Sequence, residues 1–167
     1  MAVLNVHERT FPVPPDTVGR LIDSVAGPDD RLSPTPDWPP ILFDRPLGVG
    51  AVGGHGPIRY TVEAYVPGRW IRFAFTAPAG FHGFHEFTAH DEAGVTTLRH
   101  TLAMRTRGSA RLSWPLAFRW LHDAMLEDSL DRAEQVLTGT VASKTRWSRR
   151  VRLLRRLVGR LMPPQVW

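Results

Sequence analysis

The stretch IRYTVEAYVPGRWIRFAFT, residues 58–76, decides the fold. Pro67-Gly68 divides it into two runs rich in β-branched and aromatic residues, the composition of strands flanking a turn. With Pro67-Gly68 as a two-residue turn, Tyr60 falls opposite Phe75, Val62 opposite Phe73, Glu63 opposite Arg72 and Ala64 opposite Ile71. Successive strand side chains point to opposite faces. One face then carries Ile58, Tyr60, Val62, Ala64, Ile71, Phe73 and Phe75. The other carries Arg59, Thr61, Glu63, Arg72 and Thr76, with an opposite-charge pair directly across.

The pattern recurs downstream. A symmetric turn at Asp91-Glu92-Ala93-Gly94 sets His85 opposite His100, Phe87 opposite Leu98 and Glu86 opposite Arg99, and Leu102 and Met104 continue the inner row. Two hairpins that each separate an apolar face from an ion-paired one argue for an antiparallel sheet buried on one side. Upstream, residues 2–13 read as a strand. Pro14-Pro15-Asp16 suits a helix first turn, and Val18, Leu21, Ile22 and Val25 follow at helical spacing. Residues 28–57 are rich in Pro and Gly yet carry Trp38, Ile41, Leu42, Phe43 and Leu47, which predicts a short second helix or an ordered loop. Trp114-Pro115 opens a long helix over about 113–138, with a stripe of Trp114, Phe118, Leu121, Met125, Ala133 and Val136 for the concave side of a sheet and Gly139 as its stop.

This element order, together with GGHGPIRY at 53–60, Tyr65-Val66-Pro67-Gly68 and Leu121-His122-Asp123-Ala124, resembles the SRPBCC superfamily, START/Bet v 1-like and in particular its polyketide cyclase/dehydrase-like members. The resemblance covers about residues 2–138. It implies an α+β helix-grip domain over 1–140: a curved antiparallel β-sheet wrapped around a long C-terminal α-helix, with an internal cavity. It also implies a hydrophobic small molecule in that cavity, a polyketide, aromatic or lipid-like metabolite. The superfamily contains carriers and enzymes alike, so the alternative is a polyketide cyclase/aromatase performing acid/base aldol cyclisation or dehydration in the same cavity.

The chain's 167 residues, 43% of them hydrophobic, suit one domain with a short addition. There is no cysteine, which excludes disulfides, thiolate nucleophiles and Cys-based zinc or iron–sulfur sites. No apolar run reaches membrane-spanning length and no signal-type segment opens the chain, so the expected compartment is the cytoplasm. The charge is uneven. From Lys144 onward there are eight basic residues and no acid, leaving 13 basic against 16 acidic residues before it.

Among candidate residues, Tyr60, His85 and His100 share the inner face and are the catalytic candidates. A phenol and two imidazoles in an apolar cup can polarise a ketone and move a proton alpha to it. Phe73, Phe75, Phe87, Leu102, Phe118, Leu121 and Met125 are expected to line the ligand, with His55 at the cavity mouth and His122 beside the helix stripe. His82 and His85 are three apart in an extended segment and point to opposite faces, and no helical His-x3-His pair occurs, so neither a metal nor a cofactor is expected. The glycines around His55 lead into a strand, which excludes a phosphate cradle. Glu63 and Glu86 read as surface ion-pair partners.

Residues 141–167 form a second unit. Between Arg146 and Met162, the residues Trp147, Val151, Leu154, Val158 and Leu161 recur at spacings of four and three among arginines, the pattern of a basic amphipathic helix. It fits an anionic membrane surface, making the protein peripheral to the membrane, or a protein partner, including its own domain. Nucleic acid is disfavoured by the lack of interleaved aromatics.

Overall fold

Strand β1 (Ala2–Phe11) turns Val3, Asn5, His7, Arg9 and Phe11 inward while Leu4 and Val6 stay exposed, so this strand's inner face is mostly polar. The structure, a computed structural model, describes residues 1–161, without the side chains of residues 92 and 159–161. The expected stripe's Leu161 side chain and Met162 lie outside the described residues. Helix α1 (Pro15–Asp23) follows, opened by Pro14 and Pro15 with Asp16 in its first turn. Then come β2 (Leu42–Phe43), β3 (Val52–His55), β4 (Ile58–Val66), β5 (Trp70–Ala77), β6 (Phe81–Glu92) and β7 (Val95–Thr106). The seven strands form one antiparallel sheet in the order β1-β7-β6-β5-β4-β3-β2. A short α2 (Ala110–Ser113), a π-helical turn (Trp114–Phe118) and α3 (Arg119–Thr138) run on from one another across it, and Gly139 stops the run at φ 78°.

Residues 28–57 hold no helix. Asp30 organises the first part by accepting from the backbone of Ala26, Leu32 and Ser33 and from the Ser33 hydroxyl. Arg132 of α3 donates to the Asp30 and Thr35 carbonyls and ties this ordered loop to the helix. The remainder supplies β2 and β3, too short and glycine-laden to show a period of two.

Both hairpin registers differ from expectation. Tyr60 faces Phe75 and Val62 faces Phe73, but the turn takes three residues, with Val66 opposite Trp70. A bulge between Val62 and Ala64 absorbs the difference, so Ala64 faces Arg72, Tyr65 faces Ile71, and Glu63 is exposed in the bulge. Pro-Gly does not supply the primed two-residue geometry that twisted strands favour, and Arg69 N–H donates to the Val66 carbonyl at 3.0 Å instead. In the second hairpin the turn closes on Ala93-Gly94, both at positive φ (52° and 85°). That moves the pairing by two residues: His85 faces Leu102, Phe87 faces His100, and Ala89 faces Leu98. A shift of two preserves which face each side chain occupies. It does change the ion pairs. Glu86 meets Arg72 of β5 and the Trp70 indole N–H, while Arg99 meets Glu8 of β1.

The helix stripe also shifts. Trp114 is buried and Phe118 packs on Phe81, but after the π turn Leu126 and Leu130 join the expected Ala133 in the core, and Val136 is exposed. A π turn is wider than an α turn, so it displaces the phase of every residue after it.

Helix α4 (Arg149–Leu161) lies against α3. The Trp38 and Trp147 indole N–H groups both donate to Asp128 Oδ2, at 2.6 and 2.7 Å. Val151 is buried, and the Arg155 guanidinium stacks on both indoles and donates to the Asp37 carbonyl. The tail helix therefore packs on its own domain through one of its faces.

Candidate functional site

Tyr60, near the start of β4, is fully buried, with Phe73 and Phe75 beside it on β5. Phe43 of β2 folds over them, its ring nearly parallel to Phe73 at 6.0 Å and edge-on to Tyr60 at 5.9 Å. Gly53 permits this. A Cβ there would meet the Leu42 carbonyl oxygen at 1.9 Å and the Phe43 ring at 2.7 Å.

His85, on β6, stacks against Phe73 and Phe75 at 4.8 and 5.1 Å and meets Tyr60 edge-on at 4.7 Å. Its Nδ1 lies 3.2 Å from Nε2 of His100 on β7. His100 meets the Phe87 ring at 4.7 Å and the His122 ring of α3 at 5.2 Å. His122 lies 6.0 Å from His7 of β1, and at the other end His55 of β3 lies 6.0 Å from Tyr60. Five imidazoles and a phenol thus form one file across the concave face, from the Gly-rich strand to the opposite sheet edge.

Four polar atoms within this file are buried without a hydrogen-bond partner among the described residues: Tyr60 Oη, His85 Nε2, His100 Nδ1 and His122 Nδ1. His122 Nδ1 lies 3.7 Å from Asp123 Oδ1, too far for a hydrogen bond. Burial disfavours charge on all of them. It lowers His55 to about 4, takes His85 and His100 well below the usual imidazole range, lowers His122, and raises the Tyr60 phenol above its ordinary value. At neutral pH the interior of the file is uncharged.

His7 behaves differently. Burial pulls it down, but contacts with Asp123 and Glu127 outweigh burial and raise it. Its Nδ1 lies 2.7 Å from Glu127 Oε1 and its Nε2 3.3 Å from Asp123 Oδ1. Burial likewise works against the Asp123 carboxylate, yet the imidazoles of His122 and His7 hold it below its usual range. On either side of His7, Asn5 donates to Asp123 at 3.0 Å, and Arg9 donates to Asp131, Glu134 and Glu127. His7, His122 and Asp123 are the described residues with metal-ligand spacing, their ligand atoms lying within 4.8 Å of one another. The His82–His85 argument does not reach this group, which joins β1 to α3 across the sheet.

Of the expected site residues, Tyr60, His85, His100, Phe73, Phe75 and Phe87 meet in one cluster, with His55 and His122 beside it. Leu102 belongs to a second cluster with Phe81, Met104, Ala110 and Trp114, against which Phe118 packs. Met125 packs on the main core and Leu121 is half-buried one turn before it. Phe43, His7 and Asp123 were not anticipated. The alternation of β1 carries a signal for His7, since it shares a parity with Val3 and Phe11. Two surface depressions lie elsewhere, one lined by residues 143–146 and one by residues 1–2, 105–108 and 111, and neither is the expected internal cavity.

No family model matches the sequence, and no curated protein matches it. Solved structures do. CalU16 from Micromonospora echinospora aligns at TM-score 0.59 and 15% identity, over 96% of this chain and 86% of that one. Ara h 8.0201 aligns at 0.58 and 13%, over 84% of this chain and 100% of that one. DynU16, a protein in the dynemicin biosynthetic locus, aligns at 0.53 and 17%, over 83% of this chain and 48% of that one. At such identities the likeness is one of fold: this chain has a Bet v 1-like helix-grip fold.

Proposed function

We propose that the protein binds a small, largely apolar molecule carrying uncharged oxygen groups, against the file of Tyr60, His85, His100 and His122. The four buried polar atoms that make no hydrogen bond among the described residues carry this reading. An unsatisfied buried donor or acceptor costs about 1–3 kcal/mol, so four along one file favour a partner that supplies hydroxyls or carbonyls. Burial keeps the imidazoles neutral and makes a carboxylate ligand a poorer match than a ketone or phenol. Phe73, Phe75 and Phe87 offer ring faces and edges, and the half-buried Phe75, Leu121 and Met125 leave apolar surface for the ligand to cover. An aromatic, polyketide-like metabolite fits that chemistry best.

A hydroxyanthraquinone probe tests it by fluorescence titration, with native mass spectrometry of protein from its own host as the search for the natural ligand. His100→Phe puts a somewhat larger apolar ring in place of the imidazole and removes both polar atoms, and should weaken probe binding at least tenfold, about 1.4 kcal/mol. Equal affinity in both proteins overturns the reading.

The His85–His100 contact of 3.2 Å beside Tyr60 favours one second reading, catalysis. A neutral imidazole accepts the proton alpha to a ketone while the Tyr60 hydroxyl donates to the developing enolate oxygen. His85→Ala then abolishes turnover while leaving affinity within a few-fold. In a pure binder the same change lowers affinity instead.

A further inference from the structure

We propose that the outer face of the α2–π turn–α3 start, joined to the outer face of α4, docks on an anionic lipid bilayer. Leu112, Leu116 and Trp120 follow one another at spacings of four and are 68%, 60% and 38% exposed. The inner side of the same turns carries Trp114 and Phe118, which are used on Phe81. Helix α4 has two apolar rows. One contains the buried Val151 and packs on the domain. The other, Leu153 and Leu157, is 57% and 46% exposed.

Arg150 joins the two exposed rows. Its guanidinium lies 4.5 Å over the Trp120 ring and donates to the Leu116 carbonyl at 2.8 Å, and Leu153 and Leu157 follow it on the same face of α4 at three and seven residues. Arg111, Arg119, Arg149, Arg152 and Arg156 are exposed around them. No acid occurs from Gly139 onward in the sequence, and Asp123, which pairs with Arg119 at 3.6 Å, is shared with Asn5 and His7 of β1.

Leucines projecting between arginines, with an indole at the margin, is the composition of a surface that enters the headgroup region of a bilayer. A phosphate-reading surface for nucleic acid would gain nothing from the exposed leucines, whereas a bilayer covers them and its anionic headgroups neutralise the arginines. The membrane row is therefore not the stripe legible in the tail sequence, whose Trp147 and Val151 the domain occupies, but the second row. This surface is independent of whether the interior binds a metabolite.

The test is co-sedimentation of the full-length protein with vesicles of phosphatidylcholine alone, or mixed with phosphatidylglycerol in equal parts. The protein should pellet only with the mixed vesicles and be released as salt screens the charges. Two triple variants change exposed side chains that make no hydrogen bond or ion pair among the described residues: Arg149→Gln/Arg152→Gln/Arg156→Gln and Leu116→Ser/Leu153→Ser/Leu157→Ser. Near-UV circular dichroism establishes that both keep the fold. Each should lower partitioning on the order of 100-fold. Wild-type protein that stays in the supernatant overturns the proposal, as does a leucine variant that pellets like wild type. Binding of duplex DNA by wild type and leucine variant alike, without vesicle binding, transfers the surface to nucleic acid.

Discussion

Along β1 the residues that face α3 are Asn5, His7 and Arg9, and each finds a carboxylate on the helix. On β7, β6 and β4 the residues that face inward include His100, His85 and Tyr60, and they find mainly aromatic rings. The two regions share one sheet and one helix, and both bury polar groups. They differ in how many of those groups have partners: among the described seam residues only Asn5 Oδ1 lacks one, against four atoms in the file. In the seam, paired charges fix where the helix crosses the sheet, since the three carboxylates on Arg9 come from successive turns of α3. In the file, the polar atoms are held in place by packing and left short of hydrogen bonds, a cost that folding alone does not explain.

The largest effect that should distinguish the regions is acid sensitivity. The interior imidazoles have lowered folded-state values, so above the ordinary histidine value of 6.5 both folded and unfolded chains leave them neutral. Below it the unfolded chain takes up protons that the folded chain does not, and stability falls until each folded value is reached, near 4 for His55. Each imidazole contributes a slope of up to about 1.4 kcal/mol per pH unit. His7 has the opposite sign: its raised value adds stability that is complete below 6.5 and is lost as pH rises through the folded value. Urea midpoints should therefore fall steeply from about pH 6.5 toward 4, and His100→Phe should flatten that fall. An unchanged slope in the variant would show that His100 is not held neutral by burial.

Next in size is the seam itself. Arg9→Ala leaves Asp131, only 8% exposed, without its guanidinium, and also strips Glu134 and Glu127. Arg9 is 22% exposed, which discounts a fully buried ion pair, and a loss of about 2–3 kcal/mol is expected in urea unfolding. A loss under about 1 kcal/mol would mean that the seam fastens nothing.

The difference between the regions also explains what the sequence disclosed. Parity along a strand survives a register error of two, so Tyr60, His85 and His100 could be placed on one inner face although the second hairpin pairs His85 with Leu102. Register itself was hidden because Ala93 adopts a positive φ that its residue type disfavours, and because the Pro67-Gly68 turn takes in Arg69 and sends Glu63 into a bulge. The seam was invisible for another reason. Partners such as Arg9 and Glu134 are 125 residues apart, and only the helix crossing angle brings them together. The π turn hid part of the later helix stripe by changing its phase: Ala133 packs as expected, but Leu126 and Leu130 do the packing that was not expected of them, and Val136 is exposed.

The smallest expected effect is on the convex side, where exposure rather than partner supply sets the energy. Glu86 accepts from Arg72 at 2.8 Å and from the Trp70 indole at 2.9 Å, and the Arg72 guanidinium lies 3.9 Å over the Phe84 ring. Its carboxylate is 15% exposed and Arg72 31%. The Arg99–Glu8 pair is shorter, at 2.6 Å, but 43% and 48% exposed. Distance alone would rank the second pair first. Solvent screening and the entropy of holding two free side chains reverse that order. Double-mutant cycles to alanine should give a coupling of about 1 kcal/mol for Arg72–Glu86 and about 0.3 kcal/mol for Arg99–Glu8. The aromatic shelf under Arg72 limits its freedom before the ion pair forms, so Phe84→Ala should reduce the first coupling and leave the second unchanged. Equal couplings in the two cycles would mean that burial does not govern these pairs. The contrast between seam and file would then rest on partner count alone.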